Sequence, residues 1–226
     1  VWDGVHVQSG PMLHGLQVGS QLNGQGQGEV SLNWDKQGLP EGSQLEVVLN
    51  DRQGKTLARK RLPGRDGLCS LAQLKVETWW PNGHGEQPLY DLTVDLLVEG
   101  GVHDTAKFQL GFRRISWAPC RGAPAGARDW ICEVNGKAVF MQGANWVPLR
   151  TCFADTTPEE VDQRLTTYRD LGFNLLRIWG GSVLERRTFY EKCDALGLMV
   201  WQEFPLSSSG IDNHPPDDPR LISDMR

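Results

Sequence analysis

Apolar and polar residues alternate along most of the first half of the chain. The run 89–98 carries apolar residues at 92, 94, 96 and 98, the period-2 signature of a strand with one buried face. Similar short runs fall at 13–18, 30–34, 47–49, 56–57, 71–76 and 108–115. Two of them, 47–49 and 56–57, flank the turn sequence Asp51-Arg52-Gln53-Gly54. About seven short strands in about 105 residues is the spacing of a two-sheet sandwich. Residues 10–115 are therefore expected to form an immunoglobulin-like β-sandwich, without the Cys…Trp…Cys signature of antibody domains. Residues 1–7 alternate too, and are expected to belong to a preceding domain.

The pattern changes after Trp117. The stretch PCRGAPAGAR (119–128) reads as a linker. Residues 129–134 and 137–141 are then joined by Asn135-Gly136, the strongest short hairpin signal, and a new domain is expected to begin here. Thr157-Pro158-Glu159-Glu160 is a helix start with an N-cap, a first-turn Pro and a capping-box Glu. Val161, Leu165, Tyr168 and Leu171 follow on one helical face, and Gly172 ends the helix. Residues 173–179 form a nearly apolar strand interrupted by Arg177. Gly180-Gly181 turns into a second helix with Phe189, Cys193 and Leu196 on one face, stopped by Gly197 before a strand at 198–204.

This βαβαβ series predicts a parallel sheet covered by helices. A doubly wound nucleotide fold would place a Gly-rich phosphate loop after its first strand. Here that strand is followed by Ala144-Asn145-Trp146-Val147-Pro148, which cradles no phosphate. The run GQGQG (24–28) lies between sandwich strands and lacks the strand-to-helix context. The expectation is the first βα units of a TIM (β/α)8 barrel over 116–226, truncated because a barrel needs ~250 residues. Three such strands would leave one unpaired edge and exposed apolar faces.

Composition narrows the function classes. Lys and Arg total 23 against 28 Asp and Glu, a net charge of −5, and the basic residues are scattered. That pattern argues against nucleic acid as a partner. No apolar run approaches the ~18 residues of a membrane span, so a soluble globular chain without membrane partners is expected. Five cysteines, Cys69, Cys120, Cys132, Cys152 and Cys193, lack metal-ligand spacing, so reduced and mostly buried thiols are expected rather than a disulfide framework or a structural zinc; the sequence leaves the compartment undetermined with the cytoplasm favoured, and neither metal nor cofactor is expected. Nine tryptophans against three tyrosines stand out; flat indole faces suit sugars as well as cores.

Polar and aromatic residues crowd the ends of the three expected strands. The first delivers Asn145 and Trp146, the second Arg177 and Trp179, the third Trp201, Gln202 and Glu203. One reading is an aromatic-lined pocket with fixed donors and acceptors, suited to a pyranoside. The other is that Trp179 and Trp201 plug a barrel core. Arg177 in an apolar strand needs a carboxylate partner, and Glu203 is one candidate. Glu203 itself reads either as a general acid or as a hydrogen-bonding support. Residues 212–219 read either as a lid or as a solvated loop. The cluster Trp79-Trp80-Pro81-Asn82-Gly83-His84-Gly85 is either a ligand platform or a Trp pair packing one domain against its neighbour.

Four blocks, VETWWPNGHGEQPLYDLTV (76–94), GANWVP (143–148), LGFNLLRIWGG (171–181) and FYEKCDALGLMVWQEF (189–204), together resemble the β-mannosidase branch of glycoside hydrolase family 2. The resemblance implies that 1–9 end a jelly-roll sugar-binding domain, that 10–115 are the immunoglobulin-like sandwich, and that 116–226 begin the catalytic (β/α)8 barrel. It implies a retaining exo-β-glycosidase that cleaves terminal β-D-mannosides, with carbohydrate as its partner. The acid/base Glu and the nucleophile Glu are then expected beyond Arg226, so the fragment is expected to be inactive alone. The residues implied to bind substrate are Asn145, Trp146, Arg177, Trp179, Trp201 and Glu203, with Arg177 near the nucleophile. Members of the branch often carry Asp where Glu203 stands and a third Gly where Ser182 stands. Other readings are a β-galactosidase, β-glucuronidase or exo-β-glucosaminidase of the same family, or a noncatalytic carbohydrate-binding protein.

Overall fold

Alternation in the first half of the chain resolves into two antiparallel sheets around one core. The computed structural model describes residues 9–204 and 218–224; the alternating run 1–7 and residues 212–217 lie outside the described residues. Seven strands come first: β1 (His14–Leu22), β2 (Gly28–Asp35), β3 (Gln44–Asn50), β4 (Thr56–Pro63), β5 (Leu68–Leu74), β6 (Tyr90–Val98) and β7 (Gly101–Leu110). One sheet has the order β1-β2-β5 and the other β4-β3-β6-β7. Their inward positions, Val30, Leu32, Leu45, Val47, Leu49, Leu92, Val94 and Leu96, share one core. Burying each such side chain stabilises the fold by about 1.5–3 kcal/mol. The turn between β3 and β4 is closed by Asp51, whose Oδ1 accepts from the N–H groups of Gln53 and Lys55 at 3.0 and 2.9 Å.

The expected strand at 108–115 is a correction. It merges the end of β7 with a separate strand, β8 (Ile115–Ala118). Between them the chain leaves the ladder to pack against Trp79: a Cβ at Gly111 would sit 2.9 Å from the Trp79 ring, and the Phe112 carbonyl accepts the Trp79 N–H at 2.9 Å. Trp79 is fully buried beneath the Arg113 guanidinium, 4.6 Å from the ring centroid. It packs inside the first unit, and so does its neighbour Trp80, which lies under Lys137.

The Asn135-Gly136 hairpin forms as expected, with both residues at positive φ (54° and 77°), the type I′ geometry. It joins β9 (Ile131–Val134) to β10 (Lys137–Ala138), in a sheet of order β10-β9-β8. The Asn135 side chain donates to the Trp79 carbonyl at 2.9 Å and accepts from the Arg114 N–H at 2.9 Å. These contacts tie the hairpin to the first unit. The division of the chain into compact units accordingly falls between Phe140 and Met141, whereas the pattern of the sequence starts the second piece at 116.

The second unit is a βαβαβ series: β11 (Gly143–Trp146), α1 (Pro158–Asp170), β12 (Leu175–Ile178), α2 (Arg187–Leu196) and β13 (Met199–Gln202). Residues 144–146, read from sequence as following the first parallel strand, are most of that strand. The three strands are parallel in the order β11-β12-β13. The capping box of α1 is complete, with Thr157 Oγ1 accepting from Glu160 N and Glu160 Oε2 accepting from Thr157 N. Leu171 is a second correction: it caps α1 and is 61% exposed. The helices cover one face of the sheet, where Trp146, Leu165, Leu176, Ile178, Phe189 and Cys193 form a core. All five cysteines are free, three of them buried.

Leu92 is buried on the inner face of β6, while Thr93 points to the other. Leu92→Ala is expected to lower the unfolding free energy by about 2–5 kcal/mol, and Thr93→Ala by less than about 1 kcal/mol. Denaturant titration checks this, as a lower midpoint at unchanged slope for Leu92→Ala.

Candidate functional site

Successive side chains of a strand point to opposite faces of its sheet. In β11, β12 and β13 the register pairs Asn145 with Arg177 and Arg177 with Trp201, and in the next row Trp146 with Ile178 and Ile178 with Gln202. Asn145, Arg177 and Trp201 thus stand side by side on one face. Trp146 and Ile178 stand on the other, under the helices. The sequence expectation that Asn145 and Trp146 line one pocket is corrected by this parity. Trp146 is 1% exposed, and its indole N–H donates to Glu185 Oε1 at 2.8 Å.

The Arg177 guanidinium is the hub of the opposite face. Its Nε donates to Glu203 Oε1 at 2.7 Å, and Nη2 lies 2.6 Å from the same oxygen. Nη1 donates to Asn145 Oδ1 at 3.1 Å. The second carboxylate oxygen of Glu203 accepts the backbone N–H of Gly180 at 2.9 Å. The Glu203 backbone N–H donates to the Ile178 carbonyl at 3.0 Å, extending the ladder one residue past β13. The carboxylate partner that Arg177 requires is therefore Glu203. The pair remains partly open to solvent, with side chains 38% and 30% exposed.

Trp179 leaves β12 at the start of the Gly180-Gly181 turn. Its ring covers Gly181 so closely that a Cβ there would lie 2.4 Å from it. The turn is closed by the Ser182 N–H, which donates to the Trp179 carbonyl at 3.0 Å. Trp201 is 42% exposed. The structure thus joins three of the expected residues, Asn145, Arg177 and Glu203, by hydrogen bonds. It sets Trp201 beside them, places Trp179 on the adjoining turn, and puts Trp146 behind the sheet.

Three contributors escape the sequence reading. The Gly180 N–H is a backbone donor, which residue identity does not advertise. Glu185 lies in the loop after β12 with no motif around it. Asn174 is 4% exposed; its side chain accepts from Gln142 N at 2.9 Å and its carbonyl accepts from Met199 N at 2.8 Å, so it ties together the starts of all three strands. Its signal is the one that marks Arg177, a polar residue inside an apolar run. Among the described residues no group of three or more His, Cys, Asp or Glu could hold a metal ion.

The electrostatics favour an ionised Glu203. Its hydrogen bond from Arg177, then that from the Gly180 N–H, hold its carboxyl below the usual carboxylate range. A depressed folded-state value means the ionised form contributes stability above the unfolded-state value of ~4.3. That contribution is lost as pH falls through the folded value.

The family model described as "Glycosyl hydrolases family 2" matches residues 13–113. The β-mannosidase of Capra hircus is 37% identical over 131 residues, covering 57% of this chain and 15% of that protein. The mannosylglycoprotein endo-β-mannosidase of Lilium longiflorum is 38% identical over 138 residues, covering 61% and 14%. The solved structure of a β-D-mannosidase from Dictyoglomus thermophilum aligns with a TM-score of 0.73 at 29% identity, over 92% of this chain and 26% of that one. An FMN-binding β-glucuronidase from Facaelibacterium prausnitzii aligns at 0.72 with 21% identity, over 85% of this chain and 28% of that one, a likeness of fold alone. The chain thus spans 15% and 14% of the length of these two curated relatives.

Carbon-detected NMR of Glu203 should give a titration midpoint below ~4.3. Glu203→Gln should lower stability near neutral pH, and its difference from the unaltered chain should close as pH falls below the carboxylate range. Urea titrations at several pH values read this out; a gap that widens in acid contradicts the assignment.

Proposed function

Because this chain is a relative of the β-mannosidase branch of glycosyl hydrolase family 2, we propose that it is part of a retaining exo-β-glycosidase acting on terminal β-D-mannosides. The observation that carries this reading is the Asn145–Arg177–Glu203 cluster at the C-terminal ends of parallel strands, the end at which barrel active sites form. In this reading the first unit is the immunoglobulin-like sandwich of the enzyme, and β11 to β13 with their helices open its (β/α)8 barrel. The sugar lies on the sheet face that carries Asn145, Arg177 and Trp201, with Trp179 at its margin. Trp146 serves as core behind that face.

The chemistry proposed is double displacement. One carboxylate attacks the anomeric carbon as a second, ~5–5.5 Å away, protonates the leaving oxygen; water then releases the sugar with retention. Both carboxylates are assigned to parts of the enzyme that this chain does not span. Glu203 is an unsuitable acid, because Arg177 and the Gly180 N–H hold it ionised. Arg177 contributes a fixed cation with N–H groups to spare beside the reacting centre. Such a cation keeps a neighbouring nucleophilic carboxylate ionised.

The full-length protein should hydrolyse nitrophenyl β-D-mannoside and leave the matching β-galactoside, β-glucuronide and β-glucosaminide largely intact. Turnover of one of those in place of the mannoside would reject the proposed sugar.

A further inference from the structure

We infer that Glu203 is a positioning residue: it fixes the Arg177 guanidinium on the sheet face and is itself anchored by the backbone N–H of Gly180. The inference rests on the glycosidase reading for its catalytic consequence, and on geometry alone for the clamp.

Both oxygens of Glu203 are already engaged within the chain. Oε1 takes Nε and Nη2 of Arg177 at 2.7 and 2.6 Å, and Oε2 takes the Gly180 N–H at 2.9 Å. The bonds from Nε and from Gly180 are charge-assisted hydrogen bonds, the stronger kind, and the Nη2 contact adds an ion pair. A carboxylate so occupied would have to surrender them to hold a sugar hydroxyl. The Gly180 anchor is built into the local fold. The Trp179 ring lies over Gly181, where any side chain would collide with it. On the other side, the Glu203 N–H to Ile178 carbonyl bond brings residue 203 alongside the end of β12.

The consequence falls on Arg177. A guanidinium has five N–H donors. Glu203 takes Nε–H and Asn145 takes one on Nη1, while Nη2 is held 2.6 Å from Glu203 Oε1 as an ion pair. At least one N–H remains on each terminal nitrogen. They lie in the guanidinium plane, and Glu203 and Asn145 together set that plane. A planar fork whose orientation is fixed in advance loses little freedom on engaging an oxygen ligand. Glu203 thus acts on the substrate through Arg177.

The test is a double-mutant cycle in the full-length protein, with Glu203→Gln, Arg177→Gln and the double variant, each checked for an unaltered circular dichroism spectrum. Glutamine keeps the shape of Glu203 but cannot accept from both Arg177 and Gly180. The single Glu203 variant should lose roughly 10- to 100-fold in kcat with KM little changed, since misorientation costs rate. The limbs of its pH–rate profile should stay in place. Adding Glu203→Gln to Arg177→Gln should cost nothing further. Multiplying losses, a KM effect at unchanged kcat, or a vanished pH limb rescued by azide would each overturn the inference. A crystal structure of Glu203→Gln supplies a readout independent of turnover. It should show the guanidinium turned away from Asn145, and an unmoved Arg177 refutes the clamp. If the unaltered protein hydrolyses no glycoside at all, the glycosidase reading fails while this crystallographic comparison still decides the clamp.

Discussion

The site depends on in-register parallel pairing of three short strands, and that pairing depends on a glycine. A Cβ at Gly143 would lie 1.7 Å from the Leu175 carbonyl oxygen, so no other residue lets β11 come against β12 at that point. From there the register runs without a slip, Gly143 to Leu175, Ala144 to Leu176, Asn145 to Arg177 and Trp146 to Ile178. A slip of β11 by one residue would turn its side chains to the opposite faces. It would put Asn145 under the helices, away from Arg177, and Trp146 on the open face. The polar cluster is thus a product of backbone packing before it is a product of side-chain chemistry.

The two faces of this sheet illustrate how one strand serves two ends. In β12, Leu176 and Ile178 are fully buried against α1 and α2, while Leu175 and Arg177 are only partly covered. The helix-side row needs volume and apolar area, and it has them in Trp146, Phe189 and Cys193. Burial drives the Cys193 thiol far above its ordinary range, so it behaves there as a small apolar side chain. The opposite row trades apolar area for a charged pair and an indole. A core would have no use for that exchange, which is the reason the sugar is proposed to lie on this face.

Elements governed by local rules were legible in the sequence. The capping box of α1, the glycine stops at 172 and 197 and the type I′ turn at Asn135-Gly136 all lie where their residues announce them. The alternation of β6 is likewise seen in its burial pattern. Misses come from contacts distant in the chain. Gly111 and Phe112 break the expected 108–115 strand because they pack on Trp79. The hairpin stays with the first unit because Asn135 reaches Trp79 and Arg114. For the site, a lone arginine in an apolar strand led to its carboxylate. Crowding of polar and aromatic residues at a strand end does not reveal parity: Trp146, next to Asn145, faces the helices.

A partly exposed salt bridge adds little net stability, because solvent screens it and two long side chains must be ordered to make it. The Arg177–Glu203 pair therefore invites an account other than stability. Replacing it with apolar residues would extend the covered surface without leaving a buried charge, and the fold would lose little by the change. What would be lost is direction. A lone arginine on an open sheet face samples many rotamers, whereas this one is bound at three of its nitrogens by groups on two neighbouring strands. Each of those groups is seated in turn, Asn145 by the register of β11 and Glu203 by the Gly180 N–H. The fold spends ordering entropy here to keep one cation pointing one way. That expenditure makes sense when the cation has to meet a reacting group whose charge develops in one place.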